Sequence, residues 1–297
     1  MDSVRDRLRL ERLRKRGSRL WLKCRQRAHQ ARLAVAWYAK PASPYRPFFV
    51  VATHRSGSTL LLDYLQQMPT VQCASEVICD VLPFGLGKRQ SRPDIALRHI
   101  QRSLHVLSGQ VRGCKLMLDQ MQRCGLSVSL LTEAFPEARY IVLYRRSLIE
   151  QFVSLETARA TDQWHLSPGE QARHARVWID PSKLKDYCQQ IRASYHALLT
   201  SEDLEGRSVV LSYEELTAQP EETLRQRICP LLEAPYRAPT ARLRKQGSAP
   251  LEDRVLNYRQ IAGLWADPQC WQAGCASTCI ERVNTLVSFL QSAQRYS

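Results

Sequence analysis

The sequence lacks a long apolar run, and its longest clean segments are short ones such as 48–52 and 140–144. Because about 20 consecutive apolar residues are needed to span a bilayer, no transmembrane helix is expected. The first residues also lack the apolar segment of about 7–15 residues that marks a secretory signal, and are rich in arginine instead. We therefore expect a cytoplasmic protein whose ten cysteines remain free thiols.

Acidic residues are scarce in the first 46 residues, which hold three of them (Asp2, Asp6 and Glu11) against 14 basic ones. The remaining 251 residues carry 29 basic and 25 acidic residues, so the net charge of +15 divides into +11 and +4. The basic character thus belongs to an N-terminal arm, and that arm has few aromatic side chains on which bases could stack. No specific nucleic-acid partner is expected.

The arm reads as one long basic helix over residues 3–39. Three prolines within 41–47 then end it, because proline cannot continue a helix. We therefore divide the chain into a basic helical arm, 1–46, and a domain, 47–297. The composition of the arm suits an anionic membrane surface, which would make the protein peripheral at the inner membrane face. The open alternative is a solvated helix that packs on the domain or contacts a second copy in a homodimer.

Short apolar segments alternate with helical ones along the domain. The pattern predicts strands at 48–53, 111–117, 139–143 and 208–212. It predicts helices after the first strand and at 93–107, 119–133, 147–162, 182–203, 214–232 and 277–293. Strands separated by helices of this length indicate an α/β fold with a mainly parallel sheet.

A metal site has little support in the sequence. The one dense cysteine group is Cys270, Cys275 and Cys279. It contains no C-x2-C pair and has no obvious fourth ligand, both of which are usual in zinc sites. We expect no metal.

The most informative segment follows the first predicted strand. There the chain enters a turn with Arg55, Gly57, Ser58 and Thr59, and the turn opens directly into a helix. Such a turn directs backbone N–H groups and a helix N-terminus at one point, which is typical of a phosphate site. Arg55 adds a charge that can bind an anion with two hydrogen bonds. The alternative is an ordinary helix start with no ligand.

This turn is not a Walker A loop. That motif requires glycine at position 52 and lysine at 58, where this chain has Ala52 and Ser58. Since the missing lysine normally reaches the β- and γ-phosphates, a nucleoside or sugar kinase is disfavoured. It stays an alternative, as does a non-catalytic binding protein.

Several segments together resemble one enzyme family. Arg55-Ser-Gly-Ser-Thr59-Leu-Leu is similar to the 5′-phosphosulfate loop of sulfotransferases that use 3′-phosphoadenosine 5′-phosphosulfate (PAPS). Arg146 and Ser154, eight residues apart after a strand, match the second half of that signature. The segment 154–165 resembles bacterial sulfotransferases of the trehalose and Nod-factor type, with Asp162 where glycine is usual. The segments 113–117, 245–251 and 257–258 also match, so the resemblance covers about 48–260.

This resemblance implies a P-loop-like three-layer domain and PAPS as the sulfuryl donor, with no metal. It implies a hydroxyl acceptor on a carbohydrate or glycolipid. The donor-binding residues that it implies are Arg55, Ser56, Gly57, Ser58, Thr59 and Leu60 for the 5′-phosphosulfate, and Arg146 and Ser154 for the 3′-phosphate.

The resemblance also suggests the base that deprotonates the acceptor. Glu76 follows a further strand implied at the same sheet edge, and the alternative is a solvated or helix-capping acid. His54 is the competing base, although it sits within the phosphate loop. Further candidates for donor or acceptor contacts are Lys115, His165 and Lys245. The alternative for Lys115 is a solvated side chain, and that for Lys245 is a flexible basic loop. The alternative for His165 is a buried aromatic pair with Trp164.

Overall fold

The computed structural model describes residues 2–39, 43–87, 90–164, 170–240, 242 and 249–266, with side chains between Leu20 and Ala262. Five strands form one parallel sheet: β1 Arg46–Ala52, β2 Val71–Ala74, β3 Val111–Met117, β4 Arg139–Tyr144 and β5 Ser208–Ser212. Their order across the sheet is β2-β3-β1-β4-β5. The expected α/β fold with a parallel central sheet is confirmed.

Both faces of the sheet are covered by helices. Alternate residues of β1 point to opposite faces, Phe49 and Val51 into one apolar cluster and Phe48 and Val50 into another, and all four are fully buried. A strand buried on both faces reads as a continuous apolar run, which is why 48–52 is apolar throughout. The three-layer arrangement is therefore confirmed.

Twelve α-helices are described. Their bounds are α1 Asp2–Ala39, α2 Ser58–Leu65, α3 Pro93–His105, α4 Leu118–Cys124, α5 Val128–Ala134, α6 Leu148–Thr161, α7 Pro181–Leu199, α8 Tyr213–Ala218, α9 Pro220–Thr223, α10 Cys229–Leu232, α11 Leu251–Arg254 and α12 Tyr258–Ala266. The chain also forms a 3₁₀ turn at Glu202–Leu204 and a π-helical turn at Leu224–Ile228.

Two segments predicted as single helices are interrupted. The helix predicted over 119–133 divides at Gly125, whose φ of 65° ends α4 in the left-handed conformation that glycine tolerates. The helix predicted over 214–232 divides at Gln219, because Pro220 has no N–H to continue α8. The periodicity of apolar residues continues across both breaks, so the pattern alone did not indicate them.

The second half of α1 packs on the domain. Gln26 is buried and donates hydrogen bonds to the carbonyl oxygens of Asp80 at 2.9 Å and Leu82 at 3.0 Å. Leu33 is buried as well, and the Trp37 ring lies 4.8 Å from the ring of His105. The predicted arm therefore contains a segment that covers part of the domain surface.

Within the part of the chain that the structure describes, no helix combines the length and apolar character needed to cross a membrane. The seven cysteines in this part are free thiols. The predicted helix at 277–293 lies outside the described residues, as do Cys270, Cys275 and Cys279.

Candidate active site

The candidate site lies where the parallel strands end. After β1 the chain builds β2 and β3 on one side and then β4 and β5 on the other. The carboxyl ends of β1 and β4 therefore border the point where the direction of the connections reverses, which is where open α/β sheets bind ligands. The loop at 53–57 leaves β1 at this point and leads into α2.

This phosphate loop, defined as residues 53–57, has an unusual backbone. Arg55 has a φ of 64° and Gly57 a φ of 88°, both in the left-handed region. A Cβ on Gly57 would collide with the ring of Tyr213, which packs over the loop from the start of α8. The left-handed residues turn the chain sharply before Ser58, so that α2 begins at the sheet edge. A sharp turn of this kind before a helix is an anion-binding geometry.

Buried polar side chains hold the loop from below. Gln151 of α6 donates to the Thr53 hydroxyl at 2.8 Å and to the His54 carbonyl at 2.6 Å. The Thr53 N–H donates to the Tyr195 hydroxyl, which itself donates to the Leu143 carbonyl at 2.6 Å. Because buried polar groups stay bonded, these contacts fix the loop relative to β4, α6 and α7.

The predicted donor-binding residues of the loop and α2 differ in how their side chains are used. The Ser56 hydroxyl is buried and donates to the Thr53 carbonyl at 2.8 Å, so it shapes the loop. Ser58 is buried in the first turn of α2. The Thr59 hydroxyl accepts from Lys115, and Leu60 packs against an apolar cluster.

Glu76, two residues after β2, meets Lys115 of β3. The Lys115 Nζ lies 2.9 Å from Glu76 Oε1 and 3.3 Å from the Thr59 hydroxyl, and Gln120 donates to Glu76 Oε2 at 2.8 Å. Burial raises the pKa of Glu76, but the charge and hydrogen bond of Lys115 and the hydrogen bond of Gln120 outweigh it. The pKa of Glu76 is therefore lowered from 4.5, and the side chain is an ionised carboxylate near neutral pH.

His54 lies on the same side of the loop. Its Nε2 is 3.3 Å from Asp119 Oδ2 at the start of α4. Burial lowers the pKa of His54, but the hydrogen bond and charge of Asp119, together with the charge of Glu76, outweigh it and raise the pKa above 6.5. Near neutral pH a smaller fraction of His54 than of Glu76 is therefore in the deprotonated form that a general base requires.

The other side of the loop is rich in arginine. The Arg55 Nε donates to the Ser154 hydroxyl at 3.0 Å, and its guanidinium also donates to the Trp164 carbonyl. Arg145 is buried, pairs with Glu150 at 2.6 Å and stacks on the Tyr213 ring at 4.9 Å. The structure thus brings Arg55 and Ser154 together across 99 residues.

Arg146, which is predicted to bind the 3′-phosphate together with Ser154, contacts two glutamates of α8 instead. Its guanidinium lies 3.7 Å from Glu215, and its backbone N–H donates to Glu214 at 3.0 Å. About half of its side chain is exposed, at 51%. Its predicted contact with a 3′-phosphate stays a prediction.

A cavity of about 290 Å³ opens beside Ser154 and α6. Its polar lining includes Arg55, Ser154, Arg173, Arg176 and Arg254. Burial lowers the pKa of Arg254, as does the nearby charge of Arg145, and the charge of Glu150 opposes this. Four guanidinium groups against one carboxylate, that of Asp253, make the cavity suited to an anionic ligand.

Sequence reasoning did not identify Asp119, Gln120, Gln151 or Tyr213. The first two follow β3 and the last follows β5, so the position immediately after a strand end was an available signal. Gln151 is a polar residue inside an apolar helical segment and is fully buried, which is a second kind of signal. His165 and Lys245 lie outside the described residues. Across the described ranges, no group of three or more His, Cys, Asp or Glu side chains could hold a metal ion.

The model of the sulfotransferase family matches residues 47–238, which is about two thirds of the 297-residue chain. No curated protein gives a significant match.

Similar solved structures include a sulfotransferase from Alicyclobacillus acidocaldarius, with 16% identity, TM-score 0.45, and coverage of 76% of this chain and 92% of that one. Another is sulfotransferase STF9 from Mycobacterium avium, with 16% identity, TM-score 0.46, and coverage of 71% and 69%. A third is mouse sulfotransferase SULT7A1 complexed with PAP, with 12% identity, TM-score 0.41, and coverage of 66% and 62%.

Proposed function

The chain belongs to the sulfotransferase family, and we propose that it transfers a sulfuryl group from PAPS to a hydroxyl of a carbohydrate or glycolipid. The observation that carries this proposal is the position of Glu76 and Lys115 beside the phosphate loop, with Lys115 bonded to Thr59 in the first turn of α2. A base, a cation and an anion-binding loop then meet at one sheet edge.

The phosphate loop fits the 5′ end of the donor. The N-terminus of α2, turned toward the sheet edge by Arg55 and Gly57, offers backbone N–H groups and a positive helix end to an anion. When bound, PAPS supplies a sulfuryl group already activated by its bond to a phosphate. Lys115 neutralises the charge that develops on the phosphate oxygen when that bond breaks.

The arginine-lined cavity fits the other end of the donor. Ser154 lies at the boundary between this cavity and the phosphate loop, because it accepts a hydrogen bond from Arg55. A ligand with anionic groups at both ends would displace the hydrogen bond between Arg55 and Ser154. The guanidinium of Arg55 would then bind a phosphate through two hydrogen bonds. Arg146 does not line this cavity, and in this proposal it reaches the 3′-phosphate by leaving its pair with Glu215.

Glu76 receives the proton of the acceptor. As the acceptor oxygen forms its bond to sulfur, its proton passes to a carboxylate oxygen of Glu76, and the electron pair of the old S–O bond stays on the phosphate. The lowered pKa keeps Glu76 in the form that can accept a proton, and Lys115 holds it in place. General base catalysis of this type contributes a factor of about 10²–10⁴.

The carbohydrate or glycolipid acceptor rests on the resemblance of 154–165 to bacterial sulfotransferases of the trehalose and Nod-factor type. The experiment is incubation with PAPS carrying labelled sulfur and a panel of sugars, glycolipids and phenols. Label on a sugar hydroxyl supports the proposal, while label on phenols alone contradicts the acceptor class. Thermal-shift binding of 3′,5′-ADP tests the donor separately, and a shift with ATP and Mg²⁺ but none with 3′,5′-ADP would favour a kinase.

A further inference from the structure

Helix α1 has a buried side that faces the domain. Gln26 and Leu33 are buried on this side, where Gln26 bonds to the loop after Glu76. Trp37 lies on the same side and is 40% exposed, with its ring against the ring of His105 in α3. Gln30 exchanges two hydrogen bonds with Gln90 on the same side, at 2.9 and 3.0 Å. These residues follow the spacing of three and four that places them on one helix face.

The opposite side of α1, which we call the outer face, is also apolar. Its large members are Leu20, Trp21, Val35 and Tyr38, with exposed fractions of 64%, 58%, 68% and 82%. At 100° per residue they lie within about 100° of arc, centred opposite the buried side. The small exposed residues between them are Cys24, Ala28 and Ala31. A helix on a protein surface normally carries charged residues at the centre of its solvent-facing side, and the centre of this one is apolar.

Basic residues border the outer face on both sides. Arg25 and Arg32 flank one edge, Lys23 and Arg27 the other, and all four are exposed. Residues 20–39 contain no acidic residue, and the preceding 19 residues add eight basic and three acidic ones. An apolar strip edged by lysine and arginine is the pattern of a helix that lies in the plane of a membrane.

We propose that the outer face of α1 binds the surface of an anionic membrane, with Trp21, Val35 and Tyr38 among the acyl chains and the flanking arginines at the headgroups. Charge complementarity favours a membrane over a second copy of this chain, because two outer faces brought together would align two sets of like charges. The proposal concerns α1 alone and does not depend on the reaction.

Membrane binding at α1 would also position the candidate site. Gln26 of the buried side holds the carbonyls of Asp80 and Leu82, in the segment that follows Glu76 by a few residues. Asp80 in turn pairs with Arg123 at 2.6 Å. The segment next to the proposed base is therefore attached to the helix that contacts the lipid.

The test is co-sedimentation of the full chain with vesicles of phosphatidylcholine alone or with about 30% phosphatidylserine. We compare the double variant Trp21→Gln/Val35→Gln with the control Trp178→Gln/Val81→Gln, whose residues are equally exposed, at 57% and 65%. Both variants leave the charge unchanged. The outer-face variant should bind anionic vesicles at least tenfold more weakly, and the control should bind like the original chain.

Binding should also fall at 0.5 M salt, where the Debye length is about 4 Å. Equal binding by the two double variants would overturn the proposal, as would failure of the original chain to bind anionic vesicles at low salt. The same samples are examined by sedimentation velocity. If the outer-face variant is monomeric while the original chain and the control are dimers that bind no vesicles, the outer face is a dimer interface and the proposal is wrong.

Discussion

The Nζ of Lys115 lies 2.9 Å from Oε1 of Glu76, and the two side chains are only 3% and 13% exposed. A buried ion pair of this kind does little for stability by itself, but each partner fixes the charge and position of the other. Since Lys115 also bonds Thr59, the pair connects the proposed base to the first turn of the helix that follows the phosphate loop.

Glu76→Gln should lower turnover by about 10²–10⁴ and leave the affinity for 3′,5′-ADP unchanged, because the amide keeps the shape but cannot accept the proton. Steady-state kinetics with the true acceptor and calorimetry with 3′,5′-ADP measure the two quantities. Asp80→Asn is the matched control, since the Asp80 side chain is 12% exposed, against 13% for Glu76, and it also pairs with a cation, Arg123, at 2.6 Å. If both variants lose turnover equally, the loss comes from the segment that contains both acids and Glu76 is not the base.

Gly57→Ala should destabilise the fold more than Gly206→Ala does. Both glycines have positive φ, 88° and 66°, so each alanine costs about 1–2 kcal/mol of backbone strain. Only at position 57 would the new methyl also meet the Tyr213 ring, which Arg145 holds by stacking. Urea denaturation measures both variants, and adding Tyr213→Ala to Gly57→Ala should recover part of the loss. Equal costs at the two positions would show that the ring moves freely.

Arg146→Ala should weaken binding of 3′,5′-ADP by about 1.5–3 kcal/mol, or about 10- to 150-fold, and leave 5′-AMP binding unchanged. The reason is that Arg146 is proposed to contact the 3′-phosphate alone. Calorimetry with both nucleotides measures the difference. Arg139→Ala serves as the control, because Arg139 lies at the amino end of β4, whereas Arg146 follows the carboxyl end of that strand. Equal losses for the two nucleotides would rule out Arg146 as the group that recognises the 3′-phosphate.

The contribution of His54 to stability should depend on pH. Its pKa is raised above 6.5 in the folded state, so the stabilisation is complete below pH 6.5 and is lost as the pH rises through the folded-state value. The difference in Tm between the original chain and His54→Gln should therefore be larger at pH 6 than at pH 9. His196→Gln, which removes an exposed imidazole near the end of α7, is measured beside it as the control. A constant difference for His54→Gln would mean that its pair with Asp119 does not form in solution.

Much of the fold follows from local pattern. The buried strands read as continuous apolar runs because helices cover both sheet faces, and the loop after β1 reads as an anion site from its Gly, Ser, Thr and Arg content. The strand β2 was not visible as a pattern, because at four residues it carries too little periodicity. The breaks at Gly125 and Gln219 were likewise missed, since short helices in a row keep the apolar spacing of one long helix.

What the sequence determined by itself was the order of elements and the residue types of the phosphate loop, because these depend on neighbours a few positions apart. Only the tertiary structure decided which distant groups meet: Glu76 with Lys115, Arg55 with Ser154, and Gln26 with the segment after Glu76. Parallel strands bring Glu76 near Lys115, 39 positions away, and Arg55 near Ser154, 99 positions away, and no local pattern encodes those separations. The tertiary structure also decided which face of α1 is exposed. The domain buries the face with Gln26 and Leu33, and the apolar outer face is left exposed.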